Sequence, residues 1–259
     1  MNQPKKSLGQ HWLQDKAALN AVVAAADIRA DDVVLEVGPG LGTLTDVLAS
    51  KAARVIAIEL DKDLATKLAE RLQTTNVEVI YADILNFDLT SLPPNYKVVA
   101  NIPYYLTSHL LRTLSESPNP PSVMSILVQK EVARRISAVP GQMSLLAVSV
   151  QLHYDPKLGP EVPAELFMSP PKVDSQIISL TRKGAPLFTD LDSNAFFRVV
   201  KAGFGERRKK LRSSLSGGLN ISKDDADRLL NKAGINGDFR AQELSLEDWY
   251  KIYKAYEKD

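Results

Sequence analysis

Asn101, Pro103 and Tyr104 are the residues whose types and spacing most directly indicate chemistry. They lie in the run Asn-Ile-Pro-Tyr, directly after an apolar, strand-like segment that ends at Ala100. An asparagine oxygen accepts hydrogen bonds, a proline restrains the backbone around it, and a tyrosine ring offers a flat surface for stacking. Such a set could hold an aromatic amine through its two hydrogens. The alternative is a plain turn at a strand end, with Tyr104 in the core.

A glycine-rich segment precedes this run and begins immediately after the apolar residues 33–37. It places Gly38, Gly40 and Gly42 at alternate positions, followed by Thr43. Glycines permit a tight turn and the close approach of a ligand to the backbone. A dinucleotide fingerprint would need a glycine at the position of Thr43. The observed spacing instead resembles motif I of the class I methyltransferases that use S-adenosylmethionine (SAM), although a glycine turn that binds nothing is an alternative.

The Asn-Ile-Pro-Tyr run resembles the (Asp/Asn)-Pro-Pro-(Tyr/Phe) motif of methyltransferases that modify nucleic-acid amino groups. The exocyclic amine of adenine is a poor nucleophile, because its lone pair is delocalised into the ring. The Asn101 oxygen and a backbone carbonyl at Ile102 or Pro103 could accept its two hydrogens, while Tyr104 stacks on the extruded base. The chain has no cysteine, and methylation at cytosine C5 would need a cysteine thiolate.

Two acidic residues follow the next two strand-like runs of the chain. Glu59 ends the first run and Asp83 follows the second, with Ile84 after it. A carboxylate at the first position can accept hydrogen bonds from both ribose hydroxyls of a nucleotide cofactor. Asp83 could accept from the adenine amine, with Ile84 against the ring. Either acid alone is more often only a polar residue at a strand end.

The order of the elements predicts an α/β fold of the Rossmann-like, class I methyltransferase type, with a mostly parallel sheet. Short apolar runs alternate with helical patterns through residues 32–180, which is typical of βαβ units. Ligands bind at the carboxyl ends of such strands. Beyond residue 184 the pattern is helical, and Asp192 is expected to cap a helix that ends near Phe204. We therefore predict a catalytic domain at 1–183 and a small all-helical domain at 184–259.

Composition restricts the class of protein further. The three histidines are scattered and there is no cysteine, so no metal site is expected. No apolar run is long enough to span a membrane and no secretory leader is visible, so a cytoplasmic protein is expected. The net charge is +1, yet one segment, 198–212, contains seven basic residues and one acid. That segment is either an RNA-binding strip or a solvated helix face.

Taken together, these motifs are similar to those of the ribosomal RNA adenine dimethyltransferases, and most closely to the bacterial small-subunit members. The resemblance covers nearly all 259 residues. It includes an N-terminal motif around His11, Trp12 and Leu13, and a late Pro-Lys-Val-Asp-Ser motif at 171–175. It extends to the segment 197–211 of the helical region.

The resemblance implies roles for particular residues. It implies that SAM, released as S-adenosylhomocysteine, contacts six positions, which are His11, Leu13, Gly38, Glu59, Asp83 and Asn101. Phe167 would face Tyr104 across the target base. RNA would contact the basic run Arg207, Arg208, Lys209 and Lys210. The implied substrate is 16S rRNA in the small (30S) subunit, where two adjacent adenosines near the 3′ end become N6,N6-dimethyladenosine, and the enzyme is expected to be a monomer.

Some positions depart from the family pattern, and other functions stay open. His11 and Trp12 occupy positions where asparagine and phenylalanine are usual, and an imidazole can still make one hydrogen bond. The runner-up enzyme is the large-subunit dimethylase of the macrolide-resistance type. A SAM-fold RNA-binding or assembly factor with little turnover is a hypothesis of a different class. A NAD dehydrogenase is disfavoured by Thr43.

Overall fold

A computed structural model describes residues 5, 9–73, 75–206 and 208–257. The chain divides into two compact units. The first contains residues 1–134 and 154–182, and the second contains residues 135–153 and 183–259. Each unit has its own sheet or helical core, and the two are described separately below.

The first unit is built from strands and helices that alternate along the chain. Its strands are β1 (Trp12–Leu13), β2 (Val33–Val37), β3 (Arg54–Glu59), β4 (Val77–Tyr81), β5 (Lys97–Asn101), β6 (Val123–Gln129), β7 (Tyr154–Val162), β8 (Phe167–Met168) and β9 (Ser175–Arg182). Its helices are α1 (Lys16–Ala24), α2 (Thr43–Ala49), α3 (Lys62–Leu72) and α4 (Thr107–Glu116). Helix α5 (Lys130–Ile136) spans the boundary between the two units, which falls between residues 134 and 135.

Among the described residues, seven strands form one sheet in the order β4-β3-β2-β5-β6-β9-β7. The five strands β4, β3, β2, β5 and β6 are parallel to one another. Strand β9 is antiparallel to both β6 and β7. The predicted mostly parallel α/β sheet is therefore confirmed, and the carboxyl ends of β4, β3, β2 and β5 lie side by side at one edge.

Continuous apolar sequence explains why the central strands are buried. Five of their residues are fully buried, namely Val34, Leu35, Val55, Val98 and Val99. Strands covered by helices on both faces read as unbroken apolar runs. Helix α1 packs its own apolar residues into the same core, since Val22, Leu48, Val55 and Val99 belong to one hydrophobic cluster.

The second unit is helical. It contains α6 (Leu145–Gln151), α7 (Ser193–Phe204), α8 (Leu211–Leu219), α9 (Lys223–Ala233) and α10 (Leu246–Tyr256). Asp192 caps α7 by accepting hydrogen bonds from the amides of Asn194 and Ala195, as expected from the sequence. Trp249 is fully buried at the centre of the helices.

The segment 135–153 belongs to this second unit, whereas the sequence division placed it in the first domain. The physical reason is packing. Ala147, Val148 and Leu152 belong to the hydrophobic cluster that also contains Phe196 and Trp249. The apolar face of α6 is thus buried against helices from the carboxyl-terminal part of the chain.

Candidate active site

A cavity of about 180 Å³ lies at the carboxyl ends of the parallel strands of the first unit. Most of the predicted site residues line it, namely His11, Leu13, Gly38, Glu59, Asp83, Asn101, Pro103 and Tyr104. The strand order explains this, because Asp83 follows β4, Glu59 ends β3, Gly38 follows β2 and Asn101 ends β5. Residues far apart in sequence thereby meet, as where the Asn101 side chain reaches the backbone carbonyl of His11, 90 positions away.

The glycine loop has a left-handed backbone at three positions, and the space around a hypothetical Cβ differs between them. Gly38, Gly40 and Gly42 have φ values of 69°, 56° and 81°. A Cβ at Gly42 would lie 2.3 Å from the Arg71 guanidinium, and one at Gly40 would lie 2.9 Å from the indole nitrogen of Trp12. A Cβ at Gly38 would meet nothing within 4 Å. Gly38 therefore leaves open the space that a ligand in the cavity could use.

Glu59 anchors the glycine loop in addition to facing the cavity. Its Oε2 accepts a hydrogen bond from the Gly40 amide at 2.9 Å, and its Oε1 accepts one from the Asp61 amide at 2.9 Å. Burial raises the pKa of Glu59, and the hydrogen bonds from these two amides oppose that rise. Because each carboxylate oxygen can accept a second hydrogen bond, the ribose hydroxyls expected from the sequence still have acceptors.

Asp83 is held by a local turn. Its Oδ1 accepts from the Leu85 amide at 3.0 Å and its Oδ2 from the Asn86 side chain at 3.1 Å. The carboxylate therefore caps the short 3₁₀ turn Ile84–Asn86. Ile84 is buried and lines the cavity beside it. This arrangement fixes the carboxylate in place for a further donor such as an adenine amine.

Asn101 has a defined amide orientation. Its Nδ2 donates to the carbonyl of His11 at 3.0 Å. A carbonyl can only accept, so the other end of the amide, Oδ1, is the end available to a ligand. The Pro103 carbonyl accepts the Leu106 amide at 3.0 Å. Of the two candidate second acceptors, the Pro103 carbonyl thus has one of its two lone pairs already engaged, and the Ile102 carbonyl is the other candidate.

Tyr104 is fixed by two neighbours. Its hydroxyl makes a 2.7 Å hydrogen bond with the hydroxyl of Ser175, which is fully buried. Its ring stacks on the imidazole of His11 with centroids 5.8 Å apart and an angle of 22° between the planes. Burial raises the pKa of Tyr104, so the phenol is neutral at neutral pH. The His11 Nδ1 lies 2.6 Å from the carbonyl of Ser169 and therefore carries a hydrogen.

Phe167 and Leu13 occupy core positions. They lie opposite each other in the β1–β8 pair, and both belong to the main hydrophobic cluster of the first unit. Leu13 lines the cavity, and its carbonyl accepts from the Thr43 hydroxyl at 3.0 Å. Phe167 is 3% exposed and is not among the described residues that line the cavity. In this structure Phe167 belongs to a hydrophobic cluster, and its role across the target base from Tyr104 stays a prediction.

Two buried polar groups on the cavity wall were not predicted. Glu36 is 1% exposed, and burial raises its pKa to about 8. Among the described residues, its Oε2 and the indole nitrogen of Trp12 have no hydrogen-bond partner. An unpaired buried polar group in a native structure needs an explanation, and a ligand in the cavity would supply partners for these two. The acid inside the otherwise apolar run 33–37 is the sequence signal that could have identified Glu36.

The basic side chains at 208–210 differ in whether they form ion pairs. Arg207 lies outside the described residues. Lys209 forms an ion pair with Glu206, and Lys210 forms one with Asp238 at 3.1 Å. Arg208 is exposed. Charge neutralisation within this unit therefore differs from one basic residue to the next.

Within the described parts of the chain, no group of three or more acidic, histidine or cysteine side chains could hold a metal ion. None of the described helices is long and apolar enough to cross a bilayer.

The sheet and its glycine loop are those of the Rossmann-like methyltransferases, and two solved structures share the fold over almost the whole chain. A dimethyladenosine transferase from Plasmodium falciparum is 25% identical with a TM-score of 0.81, covering 96% of this chain and 98% of its own. The 23S rRNA methyltransferase ErmE is 29% identical with a TM-score of 0.74, covering 95% of this chain and 99% of its own.

A family model described as ribosomal RNA adenine dimethylase matches residues 1–258. The chain belongs to this family, whose members dimethylate adenine in ribosomal RNA. Membership of the family implies SAM as the cofactor. Among curated relatives, the ribosomal RNA small subunit methyltransferase A of Dehalococcoides mccartyi is 42% identical, covering 97% of this chain and 88% of the relative.

Proposed function

We propose that this enzyme dimethylates the N6 amines of two adjacent adenosines in the hairpin near the 3′ end of 16S rRNA, within the small ribosomal subunit. The support for the small subunit is the 42% identity to a relative with that name, against 29% to ErmE, a 23S rRNA enzyme. The protein acts as a cytoplasmic monomer in this proposal and releases S-adenosylhomocysteine.

The residues of the cavity fit SAM. Gly38 leaves open space, Glu59 and Asp83 present fixed carboxylates, and Trp12 and Glu36 offer unpaired polar atoms. When bound, SAM supplies an electrophilic methyl group on its sulfonium. His11, Leu13 and Asn101 complete the wall of the cavity.

The orientation of Asn101 is the observation that carries the proposed chemistry. Its Oδ1 and the Ile102 carbonyl accept the two hydrogens of the adenine amine, which directs the nitrogen lone pair toward the methyl group. Pro103 restrains the backbone on which the second acceptor sits. The Tyr104 ring stacks on the base, and its bond to Ser175 keeps the ring in one orientation. Each transfer breaks the bond between the sulfonium and the methyl group, forms the bond between nitrogen and methyl, and releases one amine proton to solvent. After the first transfer and this proton loss, one acceptor still holds the remaining hydrogen of the monomethylated amine.

We further propose that residues 184–259 contact the RNA through Arg207, Arg208, Lys209 and Lys210. Basic side chains on one segment neutralise phosphates and release counterions. Replacing the described members of this set by glutamine should weaken RNA binding and flatten its salt dependence.

The experiment that tests the substrate uses purified protein, labelled SAM and two targets in parallel, unmethylated small subunits and large-subunit RNA. The modified nucleosides are then mapped by mass spectrometry. Dimethyladenosine at two adjacent positions of the small-subunit hairpin is the expected result. Dimethyladenosine only in large-subunit RNA would overturn the substrate assignment while keeping the chemistry, and a light-scattering mass twice that of the chain would overturn the monomer.

A further inference from the structure

Helices α7 and α8 of the second unit enclose a groove of about 450 Å³ that the proposed function does not use. Its lining includes Arg198, Lys201, Gly205, Ser214, Gly217 and Gly218. The helices touch at its base, where a Cβ on Gly218 would lie 2.5 Å from the Cα of Ala202. A Cβ on Gly217 would meet nothing within 4 Å. The backbone at Gly217 is therefore open, and a small group can approach it closely.

The two cations on the groove rim are available for a ligand. Arg198 and Lys201 are exposed and lie three residues apart on one face of α7. Among the ion pairs of the described residues, neither of them takes part in one, and Arg198 only stacks its guanidinium 5.7 Å from the Tyr256 ring centroid. The one acid of the lining, Glu206, is already paired with Lys209.

The neighbouring cations differ in this respect. Lys210 pairs with Asp238, and Arg212 pairs with Asp238 and Asp227 at 2.6 and 3.5 Å. A phosphate that binds such a lysine or arginine meets the paired carboxylate as well, and like charges repel. An unpaired cation that neutralises a phosphate displaces counterions from the RNA. A cation that is already paired with a carboxylate has part of its charge neutralised within the protein and displaces fewer of them.

We infer that the groove between α7 and α8 binds a phosphate of the RNA backbone through Arg198 and Lys201. The inference rests on the proposed function for the identity of the RNA. It differs from the strip at 207–210 in location, since Arg198 and Lys201 lie on α7. RNA is the occupant that the observations favour, because the rim is cationic, the floor is small and the family acts on ribosomal RNA.

Two variants at Gly217 give the sharpest test, because the position is open and helical. Both Gly217→Ala and Gly217→Glu should fold at least as well as the wild type, since each new residue favours a helix more than glycine does. Gly217→Ala keeps the charge of the groove, whereas Gly217→Glu places a carboxylate in it. Affinity is measured by fluorescence anisotropy with a transcript of the small-subunit 3′ hairpin, alongside thermal unfolding.

The expected result is RNA affinity near that of the wild type for Gly217→Ala and at least about 10-fold weaker for Gly217→Glu. Equal affinities for the two variants would overturn the inference.

A second measurement uses the slope of log K against log salt. The Arg198→Gln/Lys201→Gln variant should have a slope smaller in magnitude by about 1.4 to 1.8, since each phosphate contact contributes roughly 0.7 to 0.9. Lys254→Gln is the matched control, because Lys254 lies outside the groove and the strip and is paired with Asp190 and Glu257 at 3.1 and 2.8 Å. It should change the slope by less than about 0.3. A normal slope in the double variant, or an equal loss of slope in Lys254→Gln, would contradict the assignment. Wild-type protein that binds no hairpin RNA would instead contradict the proposed function.

Discussion

Replacing Asn101 by alanine removes two different interactions at once. The first is structural, since Nδ2 holds the carbonyl of His11 at 3.0 Å. The second is chemical, since Oδ1 is the proposed acceptor for the target amine. One intramolecular hydrogen bond contributes about 1 kcal/mol to the free energy of unfolding. Loss of one preorganised group from the transition state costs about 10²- to 10³-fold in kcat, or roughly 3 to 4 kcal/mol.

The two effects separate because they have different sizes and different assays. We expect Asn101→Ala to lower the free energy of unfolding in urea by about 1 kcal/mol. Single-turnover methyl transfer at saturating SAM and RNA should fall by about 10²- to 10³-fold. SAM affinity, measured by calorimetry, should fall much less, because Glu59 and Asp83 keep their positions through bonds that do not involve Asn101.

Asn119 offers a matched control in the same unit. Its Nδ2 donates to the carbonyls of Leu89 and Leu92, both at 3.0 Å, and it does not line the cavity. Asn119→Ala should therefore lower stability to a similar extent while leaving the rate of methyl transfer unchanged. Equal rates for wild type and Asn101→Ala would refute the acceptor role, and equal loss of rate in both variants would show that the effect is only structural.

Three further predictions concern the cavity and the glycine loop beside it. Tyr104→Ala should weaken base binding by about 1–3 kcal/mol, measured as RNA KM and kcat, while Tyr104→Phe keeps the ring and should lose far less; equal values for both variants would mean that the hydroxyl bond to Ser175 matters more than stacking. Burial raises the pKa of Glu36 to about 8, so the folded protein keeps a proton that the unfolded chain releases above its ordinary pKa. The free energy of unfolding should therefore fall as pH rises from about 5 to 8, by at most ~1.4 kcal/mol per pH unit, and urea titrations of Glu36→Gln should lack this dependence. Gly42→Ala should destabilise the protein more than Gly38→Ala, because its Cβ would meet Arg71 and Leu68 at 2.3 and 2.4 Å; thermal unfolding that ranks the two variants the other way would contradict the packing argument.

The sequence was sufficient for the parts of the fold that depend on local patterns. Strands buried on both faces must be apolar along their whole length, so β2, β3 and β5 were recognisable from composition alone. The helix cap at Asp192 was predictable from the sequence. A short side chain with an acceptor oxygen, placed just before a helical apolar pattern, can accept hydrogen bonds from the first backbone amides of the helix.

Other parts of the fold depend on partners that are distant in sequence. Strand β7 carries Pro156 and Pro160, which weaken a strand pattern and are tolerated because β7 is the last strand of the sheet order. Residues 135–153 pack with helices that follow residue 183. A short apolar segment does not by itself determine which hydrophobic core it packs into.

The site shows the same division. Residues at the carboxyl ends of adjacent parallel strands had to converge, so the positions of Gly38, Glu59 and Asn101 followed from the strand order. Their second partners did not follow. The bond from Tyr104 to Ser175 joins residues 71 positions apart, and the burial that perturbs Glu36 depends on the complete fold. The placement of Phe167 in the core also depends on its pairing with β1.

The measurement that tests the central claim most directly is mass spectrometry of nucleosides from small-subunit RNA, after reaction with the purified protein and SAM that carries a trideuterated methyl group. Amine chemistry at this cavity predicts adenosine with two labelled methyl groups, both on N6, and their loss with Asn101→Ala. Label on a ring carbon or ring nitrogen of adenosine, or N6 label that persists undiminished in Asn101→Ala, would contradict the account.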